Sequence, residues 1–146
     1  MRIRRSIVIE APADRIWTML VDPAQILKWC AFVRTIRQTG EERSGPGTAF
    51  YFEEDAGGRL LKLDLVVTEW ELNRKVAFKM TAGNFVKGYE QRYTIDSVHF
   101  GSLVTITEDV RLPYGIFGRM AGVFRRPISE ARLEHMLDRL KDLAET

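Results

Sequence analysis

The sequence predicts an α+β fold, a seven-stranded curved antiparallel sheet wrapped around a long C-terminal helix, with two short helices after the first strand. Three observations carry this reading. A β-branched run, Ile7-Val8-Ile9, stops at Pro12 and gives way to a short helical stretch bearing Trp17, and Pro23 ends that stretch and opens another. From residue 33 onward, strand-like runs are separated by evenly spaced turn residues. The last stretch, Gly115 to Glu145, has helical periodicity.

Strands are expected near 3–10, 33–39, 48–55, 59–72, 75–82, 88–98 and 102–111. The turn signals between them include Gly40, Ser44-Gly45-Pro46-Gly47, Asp55-Ala56-Gly57-Gly58, Asn73-Arg74, Gly83-Asn84, Gly88 and Gly101-Ser102. Sequential strands joined by short turns pair as antiparallel neighbours. Pro12 suits the first position of a helix, because its missing N–H would be unpaired there. Asp14 falls in the first turn, where negative charge complements the helix dipole. Asp22 can cap the second helix, with Pro23 following and Gln25 completing a variant of the capping box.

The C-terminal helix has two apolar faces rather than one. Phe117, Met120, Ala121, Phe124 and Ile128 gather on one side, and Leu133, Met136, Leu137, Leu140 and Leu143 on another. Pro127 lies where the face changes, so a kink or break is expected there.

The strand lengths imply enclosed space. A strand over 59–72 would extend about 45 Å, and long twisted strands coil. One helix about 10 Å wide does not fill a trough of that size. A cavity should remain, lined by inward-facing residues. Alternation and helix position nominate Trp29, Phe50, Phe52, Leu63, Leu65, Phe78, Met80, Gln91, Tyr93, Ile106, Phe117, Met120 and Phe124. Each also fits ordinary core packing. Tyr89, Gln91 and Tyr93 are the polar groups best placed to meet a carbonyl or hydroxyl on an otherwise apolar ligand. Trp17 reads as packing between helix and sheet, and Trp29 as either rim or core. Loops near Ser44–Gly47, Gly83–Gly88 and Pro113–Gly118 are candidates to gate entry.

Composition narrows the class. The chain of 146 residues fits one domain, residues 1–146, and at that length roughly 70% of the unfolded surface can be buried without disulfides. Hydrophobic residues make up 45% and charged residues 29%, with a net charge of +2 from 22 basic and 20 acidic side chains of interleaved sign. That pattern argues against nucleic-acid binding. Cys30 is the single cysteine and reads as a small buried apolar residue. With no leader-like opening and no apolar run of about 18 residues, a cytoplasmic protein without a stable membrane anchor is expected.

The chemistry-bearing residues are sparse. His99 and His135 stand apart, so no metal site is expected, and no phosphate loop, nucleophile elbow or HExxH calls for a cofactor. No catalytic residue is assigned. Glu54, Glu69 and Glu108 share the parity of apolar neighbours. If they face inward they are costly to bury unpaired and become candidate acids or bases. They lie toward strand ends, where solvent reaches, and Trp70 and Leu72 have the parity opposite to Val67, so a bulge near 68–70 would turn Glu69 outward.

Ile9-Glu10-Ala11-Pro12 leading to Ile16-Trp17, then Asp22 and Trp29, resembles the START/polyketide cyclase-dehydrase superfamily, the Bet v 1-like or helix-grip fold. Leu112-Pro113-Tyr114-Gly115 before the last helix, the closing Leu140-Lys141-Asp142-Leu143-Ala144-Glu145, and Val67-Thr68-Glu69-Trp70 followed by Val76-Ala77-Phe78 fit the same family. The resemblance spans essentially the whole chain. It implies an apolar cavity and the binding or transport of a small hydrophobic molecule such as a lipid, polyketide or isoprenoid-like compound. Its alternatives are a cyclase, aromatase or dehydratase, and a protein-interaction or co-chaperone module. Two or more ionisable or phenolic groups converging on the cavity wall would favour the enzyme, and a wholly apolar lining would remove it.

Overall fold

The computed structural model describes residues 1–113 and 115–146, and for residues 116–119 and 121–124 it describes the backbone alone. The order is β1 (Arg2–Ile9), α1 (Ala13–Val21), α2 (Pro23–Trp29), β2 (Val33–Thr39), β3 (Ala49–Asp55), β4 (Leu60–Glu71), β5 (Lys75–Gly83), β6 (Gly88–Val98), β7 (Gly101–Arg111) and α3 (Gly115–Ala144). All seven strands join one antiparallel sheet in the order β1-β7-β6-β5-β4-β3-β2. The expected strands are all present. The sequence left open that β1 closes against β7, its partner nearly a hundred residues away, with Ile9 opposite Ser102.

The short helices follow from their end chemistry. Asp22 Oδ1 accepts from the Ala24 N–H at 3.0 Å, and Pro23 occupies the first turn. Pro12 departs from its expected place. It is the extended residue before α1, with ψ at 154°, and Ala13 begins the helix. Prolines tolerate both positions because neither needs an N–H donor.

Alternation along the strands builds the concave face. Leu61, Leu63, Leu65 and Val67 are buried while Lys62 and Asp64 face out. Register shifts at Val33/Thr35, Asp64/Leu65 and Val67/Glu69 bend the sheet. The last shift swaps faces, so Val67 and Trp70 both point inward. Trp70 meets Trp17 edge-on at 5.1 Å, fixing α1 to the sheet.

α3 runs from Gly115 to Ala144 with Pro127 inside it, so of the kink or break expected at Pro127 the break is absent. The buried stripe Leu133, Met136, Leu137 and Leu140 seats its second half. Burying each leucine stabilises by about 1.5–3 kcal/mol. Lys141 Nζ donates to the Val8 carbonyl at 3.1 Å, and Arg5 reaches Glu130 and Glu134 at 2.9 and 3.0 Å. On the first half of the helix Met120 and Ile128 are exposed, at 55% and 71%, which corrects the expected place of Met120 on the cavity wall. The side chains of Phe117, Ala121 and Phe124 lie outside the described residues, as do Tyr114 and the side chains of residues 116–118 within the gate expected over Pro113–Gly118.

Gly101 marks the tightest point of the β1–β7 closure. A Cβ there would lie 2.2 Å from the Ile9 carbonyl oxygen, a backbone atom that cannot rotate away. Gly101→Ala should therefore lower the unfolding free energy by about 1–3 kcal/mol in urea titration. An unchanged midpoint would show that the two strand ends have slack.

Candidate functional site

β3, β6, β7 and α3 each bring one or more polar side chains to the interior beneath the helix. Glu54 closes the inward row of β3 after Phe50 and Phe52. Glu108 follows Ile106 on β7, Gln91 sits across from it on β6, and Tyr89 lies diagonally, opposite Val110. Glu54 is 7% exposed and Glu108 3%. Arg132, on α3, joins them. One guanidinium nitrogen lies 2.6 Å from Glu54 Oε2 and the other 3.5 Å from Glu108 Oε2. Its face also covers the Phe32 ring, 5.0 Å from the centroid.

Glu108 Oε2 collects further donors. The Tyr89 hydroxyl donates to it at 2.8 Å. Gln91 Nε2 donates to it at 3.1 Å and to Tyr89 Oη at 3.0 Å. These contacts fix the Gln91 amide with its nitrogen on the network, leaving the amide oxygen as its acceptor.

The charge balance of the cluster governs its chemistry. One guanidinium faces two carboxyl groups in a site shielded from water. Burial pushes the Glu54 pKa upward, Arg132 opposes this, and Glu108 adds to the rise, leaving it above the ordinary 4.5. Burial works against the Arg132 cation, and the two carboxylates more than offset it, so its pKa lies above its usual value. Burial, aided by Glu108, holds the Tyr89 hydroxyl protonated, and Tyr93 behaves likewise. The Cys30 thiol is pushed to about 12 by burial and by Glu54, so at neutral pH it is a thiol and not a nucleophile.

An interior cavity of about 20 Å³ adjoins the cluster, which is room for a single water. It is lined by Trp29, Phe52, Leu65, Phe78, Gln91 and Tyr93 among the residues nominated from sequence, and by Glu54 and Cys30. Phe50, Leu63 and Ile106 are buried in the surrounding core and Met80 is half-buried. Where sequence reasoning expected a roomy trough, the aromatic rings reach across this part of it. Phe50 packs edge-on against both Phe52 and Phe78 at 6.1 and 6.0 Å, and Trp29 against Tyr93 at 6.2 Å. Trp29 is core, 2% exposed, with its indole N–H donating to the Met19 carbonyl at 2.7 Å.

The three acids separate cleanly. Glu54 and Glu108 point in. Glu69 falls after the bulge, opposite Ala77 on the outer face, and pairs with Arg92 at 2.9 Å. Arg132 was not anticipated. Its signal was present, because it lies one helical turn before the buried Met136 and two inward glutamates require a cation. Among the described residues no group of three or more His, Cys, Asp or Glu side chains is placed to hold a metal, and no helix is long and apolar enough to cross a membrane.

Residues 1–145 match the family model for polyketide cyclase/dehydrase and lipid transport proteins. The chain belongs to that family. No curated protein matches it by sequence. Among solved structures, the polyketide cyclase/dehydrase chain is similar to the Zhui aromatase/cyclase from Streptomyces sp. R1128, with 14% identity, a TM-score of 0.84, and 99% of this chain and 93% of that one covered. A START superfamily protein from Mycobacterium smegmatis aligns with 16% identity and a TM-score of 0.83 over 99% and 97%. Aha1 from Colwellia psychrerythraea aligns with 22% identity and a TM-score of 0.70 over 99% and 96%. These likenesses establish the helix-grip fold, and the family is one whose fold binds hydrophobic ligands.

The raised Glu54 pKa has a definite consequence for stability. The folded state holds the Glu54 proton to higher pH than the unfolded state does, so the folded state binds more protons across that interval. The contribution is complete below the ordinary value of 4.5 and is lost as pH rises through the elevated one. Urea unfolding across pH should show stability falling in that window, and Glu54→Gln should remove this component of the slope. An identical pH profile in the two proteins would contradict the assignment.

Proposed function

We propose that this chain binds a small, mainly apolar molecule inside the grip, with its polar end against Glu54 and Gln91. The observation that carries the reading is the composition of the interior wall. Aromatic and aliphatic side chains surround two converging polar groups, the usual makeup of a small-molecule site. The membership in a cyclase and lipid-transport family supports the same class of ligand. Since the cavity bounded by described residues holds about one water, a ligand entering this part must part the rings of Phe52 and Phe78.

Native mass spectrometry of freshly purified protein tests this directly. A retained mass should appear, be released on denaturation, and extract into organic solvent. Gln91→Met should weaken retention about tenfold, the worth of one hydrogen bond of ~1.4 kcal/mol, with the fold intact by circular dichroism. A bare protein mass, together with no uptake of added fatty acid or aromatic polyketide, would overturn the reading.

The second reading is a cyclase or dehydratase, and the glutamate–arginine–tyrosine cluster favours it. A buried carboxyl whose proton persists above the ordinary range can donate to a carbonyl or to a departing hydroxyl, and the guanidinium beside it can stabilise an oxyanion. If this holds, Glu54→Gln should slow turnover of a linear poly-β-ketone thioester by about 10²-fold or more while leaving its binding nearly unchanged. Equal turnover by both proteins would leave the binding role alone.

A further inference from the structure

We propose that the rim formed by the β3–β4 and β5–β6 turns docks the protein on an anionic membrane surface. Strand direction puts these two turns and the end of β7 at one end of the sheet. They are tied together. Asn84 Nδ2 donates to the Leu60 carbonyl at 3.2 Å, and the Lys87 N–H donates to the Arg111 carbonyl at 2.8 Å. The Arg111 guanidinium lies directly over Gly88, where a Cβ would come within 2.5 Å of it.

The rim presents apolar side chains to solvent. Phe85 is 53% exposed and Leu60 42%. Phe85 also has a φ of +61°, a backbone region that bulky L-residues avoid and that glycine or asparagine fills without penalty. A loop built for stability alone would place a small polar residue there. Holding a phenyl ring out to water on a strained backbone is the kind of outlier that accompanies function.

Cations surround the ring. The Arg59 guanidinium stacks over Phe85 at 5.2 Å, and Lys62, Lys87 and Arg111 are exposed at the same end of the sheet. Of the acids at the same end, Asp55 is engaged with Arg34 at 3.0 Å, Glu90 with Lys79 at 3.8 Å and Asp109 with the N-terminal ammonium at 3.9 Å, while Glu53 stands opposite Lys62 in the β3–β4 register. An aromatic and an aliphatic tip ringed by cations matches a headgroup layer, where rings insert shallowly and cations meet lipid phosphates. Two hairpin tips offer little of the flat area that a stable protein interface needs, at least about 1,000 Å² in total. That decides for a lipid surface over a protein partner.

The docking does not depend on the nature of any interior ligand, and its test is separate. Purified protein is sedimented with phosphatidylcholine vesicles, with and without phosphatidylglycerol. Binding should require phosphatidylglycerol and weaken as salt rises. Neutralising both Arg59 and Lys87 to Gln should weaken it roughly fivefold for each charge removed. Phe85→Asn, which suits the left-handed backbone and so keeps the melting temperature, should also release the protein from vesicles. Leu72→Ser serves as the control, since Leu72 is 67% exposed at the opposite end of the sheet and should not matter. No binding to anionic vesicles overturns the proposal. So does equal loss from Leu72→Ser, or capture of a protein partner through this rim while vesicles fail.

Discussion

Arg132 reaches two carboxyl groups whose strands lie far apart in the sheet. β3 and β7 are separated by three intervening strands, so on a flat sheet Glu54 and Glu108 would stand roughly 19 Å apart at 4.8 Å per strand. One guanidinium lies within 3.5 Å of both. That is possible only because the sheet curls around α3, and the ion triad bridges the two sides of the curl from within. The arrangement is costly in isolation, since burying a charge removes its hydration, and removal of the cation alone would leave two carboxylates stranded in a dry interior. The Tyr89 and Gln91 hydrogen bonds to Glu108 supply the further donors that make such burial tolerable.

The same cluster sets the chemical character of the interior. Two acids and one base cannot all be charged without net negative charge in a poorly solvated space, and the upward shift at Glu54 is the response. The interior therefore combines apolar walls with one carboxyl that holds its proton unusually well. Both the binding reading and the cyclase reading draw on this feature, and they differ in whether the proton merely orients a ligand or moves to it.

Much of this was legible in the sequence. Period-two alternation marked Leu61, Leu63, Leu65 and Val67 as inward, because one buried face leaves a strand no other choice. Proline and aspartate chemistry located α1 and α2. Trp70 and Leu72, falling out of phase with Val67, already pointed to the bulge that sends Glu69 outward to Arg92. At Pro127 the proline alone points to a kink or break, and the helix does not break there. A proline removes one backbone donor from a helix, but the buried row Leu133 to Leu140 and the contacts to β1 seat the second half, and that packing is not visible in local sequence.

The sequence by itself determined the elements, their faces and the family, because these follow from local sterics, hydrogen-bonding needs and burial period. Tertiary structure alone decided the pairing of Glu54 with Glu108 through Arg132, the meeting of aromatic rings across the part of the interior beside that cluster, and the gathering of Phe85 with Arg59 at one rim. Each of those depends on how far the sheet curls and where a helix lies upon it. Curvature sums small twists and bulges over seven strands, and no single residue encodes it.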